Sequence, residues 1–297
     1  MKESVRVIDG GGNGFRRADV CGFEVKNLVA ITRGQIINPQ ELIKFACADL
    51  SKNCIGIVYA VAGEIQNGVV VKSPQIHWLD GFGLFAETVG VSGKKVMVVN
   101  DMDGAIIGMA KLMPTLDYFM AMTWSSGIGV RVFRNGEILC QGEGGHIPLD
   151  PSPSAPLCDC GLQGCAESIL GGESIKRRVI AAMEYIGLQF PDKHPCKVLD
   201  ECFDKGAGWA WDIYNSVAIG MGTFLATYQT IFRFPVLVWK GGFATNAFPR
   251  IVESIRKHMQ ARLINQNWGR KMAFIQSPRP DIDSLIGAAA LFRQMYK

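Results

Sequence analysis

Short apolar runs and helix-period stripes alternate along almost the whole chain. Val5 to Asp9 is a short apolar strand that runs into a glycine cluster, and Phe15 to Val25 is strand-like with polar positions mixed in. A helix start follows, with Asn38 as N-cap, Pro39 at the first helical position and Glu41 three residues after the cap. Its apolar stripe is Leu42, Ile43, Phe45, Ala46 and Leu50. Cys54 to Val61 and Val69 to Val71 are apolar runs of strand length, and Gly83 to Val89 has helical character. Strand Lys95 to Val99 then leads into a helix over Asp103 to Met113.

The second half repeats this grammar. Tyr118 to Thr123 and Ile128 to Phe133 are strands, and the Asn135-Gly136 turn makes a hairpin with Glu137 to Cys140. An irregular stretch rich in Pro, Gly and Cys runs from Gly142 to Cys165. Helices are expected over Glu173 to Ile186 and Gly206 to Ile231, then strand Val236 to Trp239 and a helix over Ala247 to Ile264. Strand Met272 to Ile275 and a last helix from Ser284 to Met295 complete the pattern. This is an α/β chain in two similar halves with a boundary near residue 112, and a cleft between such halves is a usual place for a ligand.

Composition narrows the partners. At about 150 residues per domain, 297 residues suit two domains. The surplus of Lys and Arg over acids is only +4 and is scattered, which argues against nucleic acid. The most apolar stretch, Val217 to Trp239, is broken by Gln229, Arg233 and Pro235, so it reads as a buried helix and strand and not as a membrane span. The N-terminus has no secretion signal, and nine cysteines are an odd number for a disulfide framework. A cytoplasmic, reduced protein is expected. Glycine is abundant at 34 residues, which points to loops where backbone approaches something closely.

Four strand ends carry candidate chemistry. The loop Asp9-Gly10-Gly11-Gly12-Asn13-Gly14 can close its amides around a phosphate, or can be a plain hairpin turn. Ser125-Ser126-Gly127 offers hydroxyls and amides of the same kind, and is equally compatible with an ordinary turn. Asn100-Asp101 ends an apolar strand, where a carboxylate serves as general base or merely caps the next helix. The fourth is the most specific: His146, then Cys158, Cys160 and Cys165 after eleven intervening residues. One imidazole and three thiolates form a closed, structural zinc site.

The sequence Gly142-Glu143-Gly144-Gly145-His146-Ile147-Pro148-Leu149-Asp150, with Cys158 to Glu167 reading Cys-x-Cys-Gly-x-x-Gly-Cys-x-Glu, resembles the signature of the ROK family of repressors, open reading frames and kinases. Ile57 to Gly63, Asn100-Asp101, Gly241-Gly242 and Leu285 to Ala289 extend the resemblance over nearly the whole chain. It implies an actin-like ATPase (ribonuclease H-like) fold: an N-terminal lobe of residues 1–112 plus 284–297, and a C-terminal lobe of 113–283 with the zinc loop at 142–167. It also implies an ATP-dependent, Mg²⁺-requiring kinase acting on a hexose or N-acetylhexosamine, at the 6-hydroxyl, and a homodimer. Asp101 would be the general base, with Gly63, Asn100, Glu143, His146 and Glu167 on the sugar. Asp9, Gly11, Gly12, Asn13, Gly14, Ser126, Gly127, Gly241 and Gly242 would hold the nucleotide, and His146, Cys158, Cys160 and Cys165 the Zn²⁺.

The chain departs from the family pattern at several places. Ala62 stands where proline is usual, Asn13-Gly14 where Thr-Lys or Thr-Asn is usual, and Ser125-Ser126 where Gly-Thr is usual. Asp103 replaces an asparagine, Gln75 stands at an asparagine position, and Met109 replaces a glutamate. Asn13, Gly14 and Asp103 motivate an alternative, a zinc-stabilised sugar-binding member of the family with weak or no kinase activity. A repressor is disfavoured, because only four residues precede the first strand.

Overall fold

The structure, a computed structural model, describes residues 2–189 and 192–297. Three antiparallel strands open the chain: β1 (Ser4–Gly11), β2 (Gly14–Cys21) and β3 (Glu24–Thr32). Helix α1 (Pro39–Cys47) follows, then β4 (Cys54–Val61), the short pair β5 (Glu64–Gln66) and β6 (Val69–Lys72), and helix α2 (Leu84–Ser92). Strand β7 (Lys95–Asn100) passes directly into α3 (Asp101–Leu112). Strands β8 (Tyr118–Trp124), β9 (Ile128–Arg134) and β10 (Glu137–Cys140) come next, then helices α4 (Ala166–Leu170), α5 (Gly172–Tyr185), α6 (Pro195–Asp204) and α7 (Gly208–Phe232). The chain finishes with β11 (Val236–Lys240), α8 (Gly242–Gln260), α9 (Gln266–Lys271), β12 (Ala273–Gln276) and α10 (Asp283–Met295).

Two compact units result. One takes the residues up to Asp117, Arg131–Glu143 and Ser277–Lys297; the other takes Tyr118–Val130 and Gly144–Gln276. The first holds a sheet of order β3-β2-β1-β4-β7, with β1, β4 and β7 parallel. The period of two along its strands sorts the core into two layers. Ile8, Phe15, Ile57, Tyr59 and Val96 pack with Leu42, Ile43 and Ala46 of α1 on one face. Val5, Val7, Ala18, Val20, Val58 and Ala60 pack with Leu285, Ile286, Ala289 and Phe292 of α10 on the other.

Helices α3 and α10 cross at backbone contact. A β-carbon at Gly108 would lie 1.8 Å from the Asp283 carbonyl oxygen, and one at Gly287 would lie 1.9 Å from the Gly104 carbonyl oxygen. Only glycine permits this approach, and it brings the N-terminal turns of the two helices side by side. The C-terminal carbonyls of α1 are closed by two arginines: Arg6 donates to the carbonyls of Ala46, Ala48 and Asp49, and Arg17 to those of Phe45 and Ala48.

The second sheet has the order β10-β9-β8-β11-β12, with β11 parallel to both β8 and β12. In the second unit the long helix α7 packs on α8, and Trp124 at the end of β8 is fully buried, its indole N–H donating to the Leu170 carbonyl at 2.7 Å. Among the described residues no helix is long and apolar enough to cross a membrane.

Several expected elements stand: β4 and β10 match residue for residue, and Asn38 accepts from the Glu41 N–H at 2.9 Å. The Asn135-Gly136 turn has positive φ at both residues, as its hairpin requires. Others need correction. The single strand expected over 15–25 is two strands turned at Gly22, and β3 runs on to Thr32. Because β3 is an edge strand exposed along most of its length, it shows no apolar alternation to read. Helix α8 starts at Gly242, five residues before the expected start, and carries Pro249 inside it. Helix α6 was not anticipated, although His194 as N-cap and Pro195 at the first turn signal it.

Candidate functional site

In the first unit the end of β7 brings four of the expected residues together, Gly63, Asn100, Asp101 and Glu143. Asn100, not Asp101, caps α3, because its Oδ1 accepts from the Met102 N–H at 2.8 Å. Its Nδ2 donates to the Gly63 carbonyl and to Glu143 Oε1, both at 2.9 Å. One amide therefore ties the strand end, the turn after β4 and the loop after β10 together. Asp101 is left as the first residue of the helix, with its carboxylate accepting the Met102 N–H at 2.9 Å. The residue keeps some surface, but its carboxyl is enclosed. Burial pushes that carboxyl up to about 7, helped by the charges of Asp9 and then Glu143 and opposed by Arg131 and the Met102 amide. An acid poised there is suited to exchange protons near neutral pH.

Two residues of this constellation were not foreseen. Arg131, 2% exposed at its side chain, donates Nε to Asp103 at 2.6 Å and Nη1 to the Gly142 carbonyl at 2.8 Å. The departure at Asp103 thus has a buried counter-charge. The signal was present in the sequence, as a lone arginine in the apolar run Ile128 to Phe133. Ser284, in the first turn of α10, donates to Asp9 Oδ2 at 3.1 Å.

The glycine loop after Asp9 is a two-residue hairpin turn, with Gly11 facing Gly14 across the strands and Asn13 exposed at the tip. The glycine at position 14, where the family pattern carries a side chain, has a steric cause. A β-carbon there would lie 2.2 Å from the Ile31 carbonyl oxygen of the neighbouring edge strand, and φ is +132°. Ala62 also has a local reason: its N–H donates to the Gly10 carbonyl at 3.0 Å, a bond that proline has no hydrogen to make.

In the second unit the Ser125 and Ser126 carbonyls accept from the Gly172 and Glu173 amides, at 2.8 and 3.0 Å. Glu167 accepts from the Ile128 N–H at 2.9 Å, one residue past Gly127. Gly241, with φ of +117°, lies against the Trp124 backbone, and Gly242 opens α8.

The same unit closes the Pro, Gly and Cys-rich loop on itself. Cys158 N–H donates to the Leu162 carbonyl at 2.8 Å, Gly161 N–H to the Cys158 carbonyl at 2.9 Å, and Ala166 N–H to the Ile147 carbonyl at 2.9 Å. The ligand atoms of His146, Cys158, Cys160 and Cys165 consequently lie within 4.8 Å of one another. The Cys160 and Cys165 sulfurs are 3.6 Å apart, and Cys158 Sγ is 3.4 Å from His146 Nδ1. A tetrahedral ion about 2.3 Å from each sulfur would set neighbouring sulfurs roughly 3.8 Å apart, so the four groups fit zinc. All nine cysteines are free thiols. Burial pushes the Cys158 and Cys165 thiols up, a cost that a bound cation offsets.

Comparisons with known proteins agree with this architecture. A glucokinase of Thermotoga maritima is 25% identical over 254 residues, covering 81% of this chain and 79% of its own. The crystal structure of a ROK family glucokinase from Streptomyces griseus in complex with glucose and AMPPNP superposes with a TM-score of 0.79 at 22% identity, over 98% of this chain and 99% of that one. A ROK family transcriptional regulator, a homologue of the E. coli MLC protein, superposes at 0.81 with 20% identity, over 100% of this chain and 79% of that one. The fold is the actin-like ATPase fold of these structures. The ROK family profile itself matches residues 34–295, so the chain belongs to the ROK family.

Proposed function

We propose that this protein is an ATP-dependent sugar kinase. It transfers the terminal phosphoryl group of ATP to the 6-hydroxyl of a hexose or N-acetylhexosamine. The observation that carries this reading is Asp101: a carboxyl at a strand end, near neutrality in its proton affinity, flanked by two polar groups of the kind sugar hydroxyls need.

In this reading Asp101 takes the proton of the attacking hydroxyl as its oxygen bonds to phosphorus, and ADP leaves with the electrons of the broken P–O bond. Asn100, Glu143, the Gly63 backbone, His146 and Glu167 hold the sugar. Unpaired hydroxyls would otherwise cost binding energy, and these contacts reject acceptors that lack them. Gly11, Gly12, Asn13, Gly14, Ser126, Gly127, Gly241 and Gly242 lie along the nucleotide. Asp9 fits a hydrated Mg²⁺, because among the described residues every bond to its carboxylate falls on Oδ2 and leaves Oδ1 for a ligand. Such an ion, when bound, neutralises charge on the phosphates. His146 faces the thiolates through Nδ1, which leaves Nε2 for a sugar hydroxyl, so zinc here orients a ligand and shapes the loop. The reading also carries a homodimer and a cytoplasmic location, which sedimentation and cell fractionation test.

A second reading, a sugar-binding protein without phosphoryl transfer, is favoured by Asn13, by Gly14 and by the ion pair between Asp9 and Arg16. A coupled ADP-release assay across hexoses and N-acetylhexosamines separates the two. Sugar-stimulated ATP turnover supports the kinase. Sugars that raise the melting temperature without any turnover overturn it.

A further inference from the structure

Arg131 stands in β9 between Val130 and Val132, with Phe133 next on its own face, and all four are buried. Water does not reach the guanidinium, so it depends on protein partners. Nε donates to Asp103 Oδ1 at 2.6 Å, in the first turn of α3. Nη1 donates to the Gly142 carbonyl at 2.8 Å, two residues past the end of β10. Asp103 supplies the opposite charge. Asparagine, the residue of the family pattern at that position, would leave the guanidinium buried without one, and a buried pair broken on one side is strongly destabilising.

The bond to Gly142 has a second effect. From Gln141 to Glu143 the chain is exposed, and among the described residues it is held at two points. One is Arg131 on the Gly142 carbonyl, and the other is the Asn100 amide on Glu143 Oε1 at 2.9 Å. Asn100 caps the same helix whose first turn carries Asp103, so the contacts close a ring: Asn100, Glu143, Gly142, Arg131, Asp103 and back along α3. Within that ring Glu143 Oε2 has no partner among the described residues, which leaves it for a ligand. The cation also acts on Asp101, against the charges of Asp9 and Glu143.

We propose that Arg131 is a positioning residue of this chain. By holding the Gly142 carbonyl it sets the Glu143 carboxylate in place for an acceptor hydroxyl, and Asp103 is the counter-charge that allows an arginine there. A guanidinium fork reaches both partners at fixed angles and an ammonium does not, so lysine is a partial substitute. The inference rests on the sugar contact of Glu143 in the kinase reading, and adds to it a residue that acts through Glu143.

The test is calorimetric titration of the full chain with glucose, mannose, N-acetylglucosamine and N-acetylmannosamine and, separately, with Mg·ATP. It compares wild type, Arg131→Lys, Arg131→Met and the double variant Asp103→Asn/Arg131→Met. The sugar that wild type binds best should be held about tenfold or more weakly by Arg131→Met and by the double variant, and less weakly by Arg131→Lys. Mg·ATP should bind all four alike. The double variant loses both charges of the pair, so it should melt close to wild type. Wild-type sugar affinity in the double variant overturns the assignment, as does a parallel loss of sugar and Mg·ATP affinity, which marks a structural role. If the double variant does not fold, Arg131→Lys decides: weakened sugar binding with Mg·ATP binding kept supports the proposal, and wild-type sugar binding overturns it. Wild type that binds a sugar without turning over ATP overturns the kinase reading alone, and the sugar affinities still decide on Arg131. Wild type that binds none of the four sugars overturns both.

Discussion

The Glu143 carboxylate accepts a hydrogen bond from the Asn100 amide at 2.9 Å, one residue before Asp101. Its negative charge also adds to the burial that raises the proton affinity of Asp101. As the base must be ionised to accept a proton, the rate should rise as pH passes about 7. Glu143→Gln keeps the acceptor and removes the charge, so the acid limb of the kcat profile should move to lower pH. A limb that stays in place removes Asp101 or Glu143 from the titration.

Asp101→Asn should lower kcat by about 10²–10⁴-fold while sugar affinity changes little. The same variant has a stability signature. The folded value of about 7 lies above the ordinary 3.8, so the native state binds this proton more tightly than the unfolded chain does. Ionising Asp101 costs stability as pH rises through that window, and the full cost is present above it. The uncharged amide of Asp101→Asn escapes this cost, so the variant should melt higher than wild type at pH 8, with the difference gone near pH 4. A fully active Asp101→Asn enzyme would exclude Asp101 as the base.

Cys160→Ser should release the metal and lower the melting temperature, because the loop from Gly142 to Cys165 is ordered largely by its own closure. Wild type should carry about one zinc per chain by elemental analysis. Wild type that carries none would exclude the metal centre.

Gly108→Ala should destabilise the first unit by about 1–3 kcal/mol or more, since its β-carbon would enter the Asp283 carbonyl. Gly90→Ala, in the exposed part of α2 with nothing within 4 Å of an added β-carbon, should stabilise by about 0.5–1 kcal/mol. Denaturant titration of both variants checks the contrast, and equal effects would contradict the helix crossing.

What was legible in the sequence was local. The four residues whose ligand atoms cluster, His146, Cys158, Cys160 and Cys165, lie within 20 positions of chain, and Asn100-Asp101 follows an apolar run whose end is easy to read. The helix start at Asn38 needs only three neighbouring residues. What stayed hidden depends on partners far away in sequence. The counter-charge of Asp103 in α3 is 28 residues on, in strand β9, and Asp9 is tied to Ser284 at a separation of 275. Strand β3 left no signal because solvent bathes most of it, and the glycine at 14 is explained only once β3 is in place.

The bond between Asp9 and Ser284 also sets an order of events during synthesis. The first strand and the last helix belong to one unit, and α10 covers a whole layer of its core. At ribosomal rates of about 5–20 residues per second, the nascent N-terminal sheet waits roughly 10 to 40 s for that helix. Until then Val5, Val7, Val58 and Ala60 have no helix from α10 to pack against, and Asp9 lacks its serine. Nascent chains that stop short of α10 should accordingly be handled as clients of chaperones, with the Asp9 and Ser284 pair formed only after α10 has emerged.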